Sequence, residues 1–174
     1  MVALTASVVA IPIMMFPILK MHNESLALMY VGARIFEGIS DAVIAISYLL
    51  LLTLSQEFVE AVAPVATYFQ TSGALLHAVH NWTSVLENFP YGLGALIFNY
   101  LLYKSKLIPR WLSVWGLIGA TLMLATGLLR MFDPSLIYLA LPILVQEMVL
   151  AVWLIVKGFN PSAIASESVK TAMN

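Results

Sequence analysis

The sequence contains no cysteine and few charged residues. The absence of cysteine excludes disulfides, thiolate metal sites and cysteine nucleophiles. Charged residues make up 10 % of the chain, whereas a soluble domain is about a quarter charged. The net charge of −1 gives no reason to expect a nucleic-acid partner. Hydrophobic residues make up 61 %, and the mean hydropathy is +0.95. This composition indicates an integral membrane protein whose principal partner is the lipid bilayer.

Long apolar runs divide the chain into candidate membrane spans, each of which needs about 20 mostly apolar residues. Four runs qualify, at residues 2–19, 26–54, 111–131 and 136–156. A shorter fifth run covers residues 89–103, where Pro90 is well placed at a helix start. We expect one all-α domain over residues 1–160, a polytopic transmembrane helical bundle of about five spans, followed by a flexible tail at residues 161–174. The first run lacks a basic leader and a cleavage site, so we interpret it as a retained span.

Lysine and arginine predict the orientation, because short cytoplasmic loops are enriched in both. Lys104, Lys106 and Arg110 lie in one short loop, and Lys157 lies close to the C-terminal tail. We therefore expect this loop and the C-terminus to be cytoplasmic and the N-terminus to be outside.

The segment at residues 65–88 is amphipathic when it is plotted as a helix. One face is polar, and the other carries Leu75, Val79 and Trp82. We expect an extracytoplasmic helix that lies on the outer surface or forms a lid over the bundle. The alternative is a sixth crossing, which would place Lys20 outside. The polar face consists of Gln70, His77, His80, Asn81, Ser84 and Glu87.

Three charged residues interrupt the second apolar run: Arg34, Glu37 and Asp41 fall in one narrow helical stripe. On an insertion scale each central charge costs about 2.5 to 3.5 kcal/mol. Roughly thirteen Leu, Ile, Val and Phe residues in this run return about 4 to 8 kcal/mol, less than the roughly 8 to 10 kcal/mol that three charges cost. The stripe is therefore predicted to face the bundle interior.

The interior is predicted to hold more carboxyl groups than cations. Glu147 lies near the middle of the last apolar run, so Arg34 faces Glu37, Asp41 and Glu147. Carboxyl groups left over must be protonated, bind a cation or meet a polar ligand. We therefore treat these four residues as a candidate site for a ligand, an ion or a proton. The alternative is purely structural, with Arg34 paired to Glu37 or to Glu147 and one acid protonated.

His77, His80 and Glu87 form a weak metal candidate, since residues three apart share a helix face. Three ligands from one helix rarely close a tetrahedral shell, and no fourth ligand is evident. The alternative is a solvated polar face. Ser/His/Asp triads, phosphate loops and nucleotide fingerprints do not appear, so the sequence favours a protein that is not an enzyme and identifies no cofactor.

Two stretches resemble a known family. "YLLYKSKLIPRWLSVWGLIGA" at residues 100–120 and "LPILVQEMVLAVWLIVKGFNP" at residues 141–161 are similar to the multi-pass membrane family called domain of unknown function 4386. The resemblance implies a helical protein of a bacterial plasma membrane, with Glu147, Pro109 and Arg110 in the family signature. It also implies one further N-terminal span in most members. It implies no reaction.

Three functional hypotheses follow. The first is a small membrane-embedded binding or transport-like module with a charged interior. The second is a non-catalytic accessory subunit, packed in a homo-oligomer or against a larger membrane complex. The third is a membrane enzyme that uses the face of His77, His80 and Glu87.

Overall fold

A computed structural model describes residues 2–60 and 66–163, and the secondary structure in these two ranges is entirely helical. The predicted all-α helical bundle is therefore confirmed. The two described ranges contain five α-helices, and a 3-10 helix, Pro134–Ala140, directly precedes the last of them. The α-helices are α1 Val2–Leu19, α2 Glu24–Glu60, α3 Ala66–Ser105, α4 Arg110–Leu129 and α5 Leu141–Val156.

The longest helices, α2 and α3, pack antiparallel along their whole lengths. The rings of Tyr30 and Phe98 stack at 5.0 Å near one end of the pair. The rings of Phe58 and Phe69 meet at 5.5 Å near the other end. At 1.5 Å per residue the 40 residues of α3 extend about 60 Å, roughly twice the hydrocarbon thickness of a bilayer. The other helices accompany only part of this pair.

Glycines set the closest helix contacts. A Cβ on Gly38 of α2 would lie 2.7 Å from Val9 of α1, and a Cβ on Gly119 of α4 would lie 2.9 Å from the backbone of Ile143 in α5. These contacts place α1 against the first half of α2, and the start of α5 against the middle of α4. Small residues permit such close packing between helices in a membrane.

The predicted helix boundary at Pro90 is wrong, because α3 continues through this residue. A proline inside a helix leaves a backbone carbonyl without its donor. The Asn88 side-chain amide donates to the carbonyls of Ser84 and Val85 at 3.1 and 3.0 Å, in the turn before Pro90. The carbonyl that loses its donor is that of Leu86, so the Asn88 bonds hold the turn before the proline without replacing the missing bond. The amphipathic segment and the fifth apolar run are therefore two halves of one helix.

The outer parts of α2 and α3 form an extension, defined here as residues 46–60 and 66–80. Ser47 and His80 face each other between the two helices, 3.4 Å apart. Leu75 and Val79 face outward and are 64 % and 47 % exposed. Of the polar face of the amphipathic segment, His80 and Glu87 contact α2, whereas Gln70, His77 and Asn81 are exposed.

Several helices are suited to a bilayer. Among the described residues, Glu24–Val59, Arg110–Leu129 and Pro134–Val156 are long and apolar enough to cross a membrane, and Thr5–Leu19 is a shorter apolar helix. The chain is a helical membrane protein, and the number of five spans stays a prediction. Residues 161–163 are helical, and the rest of the predicted tail, residues 164–174, lies outside the described residues.

Candidate functional site

The centre of α2 carries a buried ion pair. Arg34 Nη1 donates to Glu37 Oε2 at 2.8 Å, one helical turn further along the same helix. The Arg34 side chain is 13 % exposed and the Glu37 side chain is 5 % exposed. The Arg34 guanidinium also lies over the Tyr91 ring, 5.5 Å from its centroid. Of the two predicted partners of Arg34, Glu37 is thus the one that forms the ion pair.

Close helix packing makes room for Arg34. A Cβ on Gly94 of α3 would lie 3.2 Å from Arg34 Cδ, so a larger residue at this position would press on the arginine stem. Arg34 Nε is buried and makes no hydrogen bond. The guanidinium therefore retains an N–H group that can donate a hydrogen bond to a further partner.

Asp41 meets Glu87 across the interface between α2 and α3. The two carboxyl groups interact directly, and both are partly buried. Each carboxyl group is also influenced by a cation: Arg34 acts electrostatically on Asp41, and Arg130, at the end of α4, acts on Glu87. Two carboxylates in contact repel one another when both are charged, so this pair favours a shared proton or a cation between them.

Glu147 approaches the same region from α5. It interacts with Arg34 and with the Tyr91 hydroxyl. The Tyr91 hydroxyl is buried and makes no hydrogen bond of good geometry, although it lies close to the Glu147 carboxyl group. The structure therefore brings all four predicted site residues, Arg34, Glu37, Asp41 and Glu147, into one electrostatic neighbourhood.

We call this group the central cluster. Its carboxyl groups are Glu37, Asp41, Glu87 and Glu147, its cation is Arg34, and Tyr91 lies among them. One carboxylate pairs with Arg34, and Arg130 acts on Glu87 from the edge. Arg34 also acts electrostatically on Asp41 and Glu147, but within residues 2–60 and 66–163 the cluster's carboxyl groups other than Glu37 form no ion pair. Chemically, a pair of carboxyl groups such as Asp41 and Glu87 can hold a proton or a positively charged group between them.

From the sequence, Glu87 is grouped with His77 and His80 as a weak metal candidate, because the three residues share the polar face of the amphipathic segment. In the structure Glu87 meets Asp41 instead. Extending one helical stripe through Pro90 would have joined Glu87 to Tyr91, four residues further along. Arg130 was not among the predicted site residues, since it lies at the very end of the apolar run at residues 111–131.

The two histidines have other neighbours. The His80 ring lies 4.4 Å from the Tyr48 ring and 6.4 Å from the His77 ring, measured between centroids. Within residues 2–60 and 66–163, no group of three His, Asp or Glu side chains is arranged to hold a metal ion. His77 is exposed and lines an open cavity of about 450 Å³ together with Trp82 and Arg130.

A second buried polar group lies between α3, α4 and α5. Gln146 is fully buried, and its Nε2 donates to Asn99 Oδ1 and to the Leu112 carbonyl, both at 3.3 Å. Gln146 directly precedes Glu147 in the last apolar run, and its partner was not predicted. In the sequence, Asn99 is the one strongly polar residue of the run at residues 89–103, and this isolated position marks it as a candidate partner. These amides cross-link the three helices and orient α5.

Comparisons with known proteins identify relatives but no activity. The family model described as Domain of unknown function (DUF4386) matches residues 1–158. An uncharacterized protein from Archaeoglobus fulgidus is 27 % identical over 103 residues, which cover 58 % of this chain and 63 % of that protein. The aligned region therefore spans less than two thirds of the relative's length. No solved structure matches the chain.

Proposed function

Because the chain belongs to the family Domain of unknown function (DUF4386), whose description names no activity, we propose a function from the residues themselves. The protein is a small membrane-embedded module that binds a proton or a cation in the central cluster, and it has a transport-like role. We place it in a prokaryotic plasma membrane with a cytoplasmic C-terminus, on the basis of its basic loop and C-terminal region.

The observation that carries this proposal is the excess of carboxyl groups at the middle of the bundle. Glu37 is neutralised by Arg34 at 2.8 Å. Asp41 and Glu87 face each other, and Glu147 approaches Tyr91. Ionisable groups at this depth are costly and mark ion or proton pathways in membrane proteins. Glu147 and the Asp41–Glu87 pair are the groups that take up the proton or cation.

Flux measurements in reconstituted vesicles test the proposal. Vesicles loaded with a pH-sensitive dye report proton entry, and ²²Na⁺ uptake reports cation entry. We expect one of the two fluxes to exceed that of protein-free vesicles and to fall about tenfold or more in Glu147→Gln and in Asp41→Asn, since each variant removes a charge at the site. Glu57→Gln is the matched control, because Glu57 is an exposed carboxylate on the extension.

The amount of folded protein is measured in the same preparations by size-exclusion chromatography. Flux equal to that of protein-free vesicles in both assays would contradict the proposal. So would an equal loss of folded protein in Glu147→Gln and Asp41→Asn, because the two residues would then have a structural role.

The second candidate is an accessory subunit that packs against a larger membrane partner. It is favoured by the outward apolar face of the extension, where Leu75 and Val79 are 64 % and 47 % exposed. Such a face needs lipid or protein against it. Native mass spectrometry after mild extraction tests this candidate: a stoichiometric second protein supports it, and a chain that elutes alone counts against it.

A further inference from the structure

A basic cavity lies at the end of the bundle opposite the extension. It forms where the turn between α3 and α4 meets the turn after α5, and the Asn160 amide donates to the Leu107 carbonyl at 2.9 Å to join them. Two residues with left-handed backbone shape these turns, Lys106 with φ 56° and Gly158 with φ 68°. The cavity has a volume of about 530 Å³.

Three cations line this cavity, and its lining as described contains no acidic residue. They are Lys106, Arg110 and Lys157, and all three are exposed. Within residues 2–60 and 66–163, none of the three pairs with a carboxylate. Arg110 is held over the Tyr103 ring, 5.3 Å from its centroid. The cavity thus presents concentrated positive charge with no anion from its own walls.

The start of α4 adds to this potential. Arg110 is its first residue, and Pro109 at the cap position provides no side-chain hydrogen bond. Free backbone N–H groups at a helix start favour an anion. This contribution is secondary to that of the three side-chain charges.

An apolar groove continues from the basic cavity along the outer face of α5. It has a volume of about 410 Å³ and shares Trp153 and Lys157 with the cavity. Its other lining residues are apolar: Met148, Val149, Val152 and Val156. A positively charged cavity at a helix end therefore leads directly into an apolar groove on the outside of the bundle.

We propose that the basic cavity and the α5 groove together bind one anionic phospholipid. The headgroup phosphate lies between Lys106, Arg110 and Lys157, and an acyl chain lies along the groove past Val152. Basic pockets at the ends of transmembrane helices recognise such headgroups. A free phosphate would account for the basic cavity alone, whereas a phospholipid accounts for both features and for the indole of Trp153 at their junction.

Lipid retention tests this site without reference to the central cluster. The protein is extracted from vesicles that contain equal amounts of phosphatidylglycerol and phosphatidylcholine, and native mass spectrometry measures which lipid it retains. We expect one retained phosphatidylglycerol. The variant Lys106→Gln/Arg110→Gln/Lys157→Gln should lose it about tenfold or more, since each cation near an anionic lipid contributes roughly a factor of five.

Two further variants separate charge from shape. Lys20→Gln/Lys104→Gln removes cations that do not line the cavity, and it should retain the lipid. Val152→Trp fills the groove without changing the charge, and it should release the lipid. Equal retention in the triple variant and the wild type would overturn the proposal, as would retention that does not distinguish the two lipids.

A titration with inorganic phosphate in a neutral detergent completes the test. Weak binding or none is the expected result, because phosphate lacks the acyl chain. Phosphate binding that depends on the three cations, without retained phosphatidylglycerol, would overturn the lipid assignment and identify a site for a soluble anion.

Discussion

Arg34 illustrates how one residue can have two roles in a membrane bundle. Its Nη1 neutralises Glu37 at 2.8 Å, while its Nε has no hydrogen-bond partner and its guanidinium lies over Tyr91. The ion pair neutralises both charges within α2, and Arg34 also acts electrostatically on Asp41 and Glu147. The same side chain therefore belongs to the fold and to the proposed site.

The first prediction concerns the Arg34–Glu37 pair. Removing one partner of a buried ion pair leaves an uncompensated charge and costs about 3 kcal/mol or more. We expect Arg34→Gln to lower the free energy of unfolding by this amount, and Arg34→Gln/Glu37→Gln to lower it by less than the sum of the single variants. Unfolding titrations in mixed detergent micelles measure all four proteins. If the loss of unfolding free energy in the double variant equals the sum of the two single losses, Arg34 and Glu37 do not stabilise one another.

The sequence predicts the buried residues better than it predicts their partners. Arg34, Glu37 and Asp41 stand out because a charge inside a long apolar run must face inward. Glu87 and Arg130 do not stand out, because each lies beside residues that are typical of a membrane surface. Whether they reach the cluster depends on how α2, α3 and α4 are aligned along one another. The periodicity of a single segment gives no information on this alignment.

At the scale of helices, glycine contacts determine how closely neighbours approach. A Cβ on Gly119 would lie 2.9 Å from the Ile143 backbone, where no flexible side chain can move away. We predict that Gly119→Ala lowers the free energy of unfolding by about 1 to 3 kcal/mol, the cost of overpacking a tight contact. Gly32→Ala is the control, because a Cβ there meets no atom within 4 Å. Thermal unfolding in detergent compares the variants, and equal loss in both would refute the contact.

Asp133 caps the 3-10 helix before α5. Hydrogen bonds from the Ser135 side chain and backbone lower the pKa of this exposed carboxyl, and the backbone bond is 2.9 Å long. Because the folded pKa lies below the unfolded value of about 3.9, the stabilisation is present above that value and is lost as the pH falls through the folded pKa.

We therefore predict that residues 135–140 exchange amide hydrogens faster at acid pH, after correction for intrinsic rates. Asp133→Asn should keep the cap without this pH dependence, since asparagine accepts the same bond. Asp133→Ala should exchange faster at every pH. Hydrogen–deuterium exchange with mass spectrometry measures all three proteins, and an identical pH response in wild type and Asp133→Asn would refute the assignment.

For the whole molecule, the predicted arrangement of five spans can be tested because the chain lacks cysteine. Single cysteines are introduced at Met21, Phe132 and Ser162. A membrane-impermeant thiol reagent should label Phe132→Cys in intact cells, and it should label the other two only after permeabilisation. Permeabilised cells provide the control for reactivity. Labelling of Met21→Cys and Ser162→Cys from opposite sides would contradict the arrangement.

The lengths of the apolar runs predict the overall architecture better than they predict where individual helices begin and end. The first predicted run coincides with α1, and the run at residues 111–131 differs from α4 by one or two residues at each end. The error at Pro90 arose because proline favours a helix start in water. In α3 the turn before it gains side-chain hydrogen bonds, and Gly92 lies against Leu124 of α4. Tertiary packing therefore overrides the local preference.

The position of Glu37 on the same helix as Arg34 bears on the biogenesis of the protein. α2 is synthesised before α3 and α5, so Glu87 and Glu147 do not yet exist when α2 enters the bilayer. A pair three residues apart can close within the helix itself. The nascent segment then inserts with Asp41 as its one unpaired central charge. Chain order excludes Glu87 and Glu147, and the spacing of three residues then selects Glu37 as the counter-ion that enters the bilayer with Arg34.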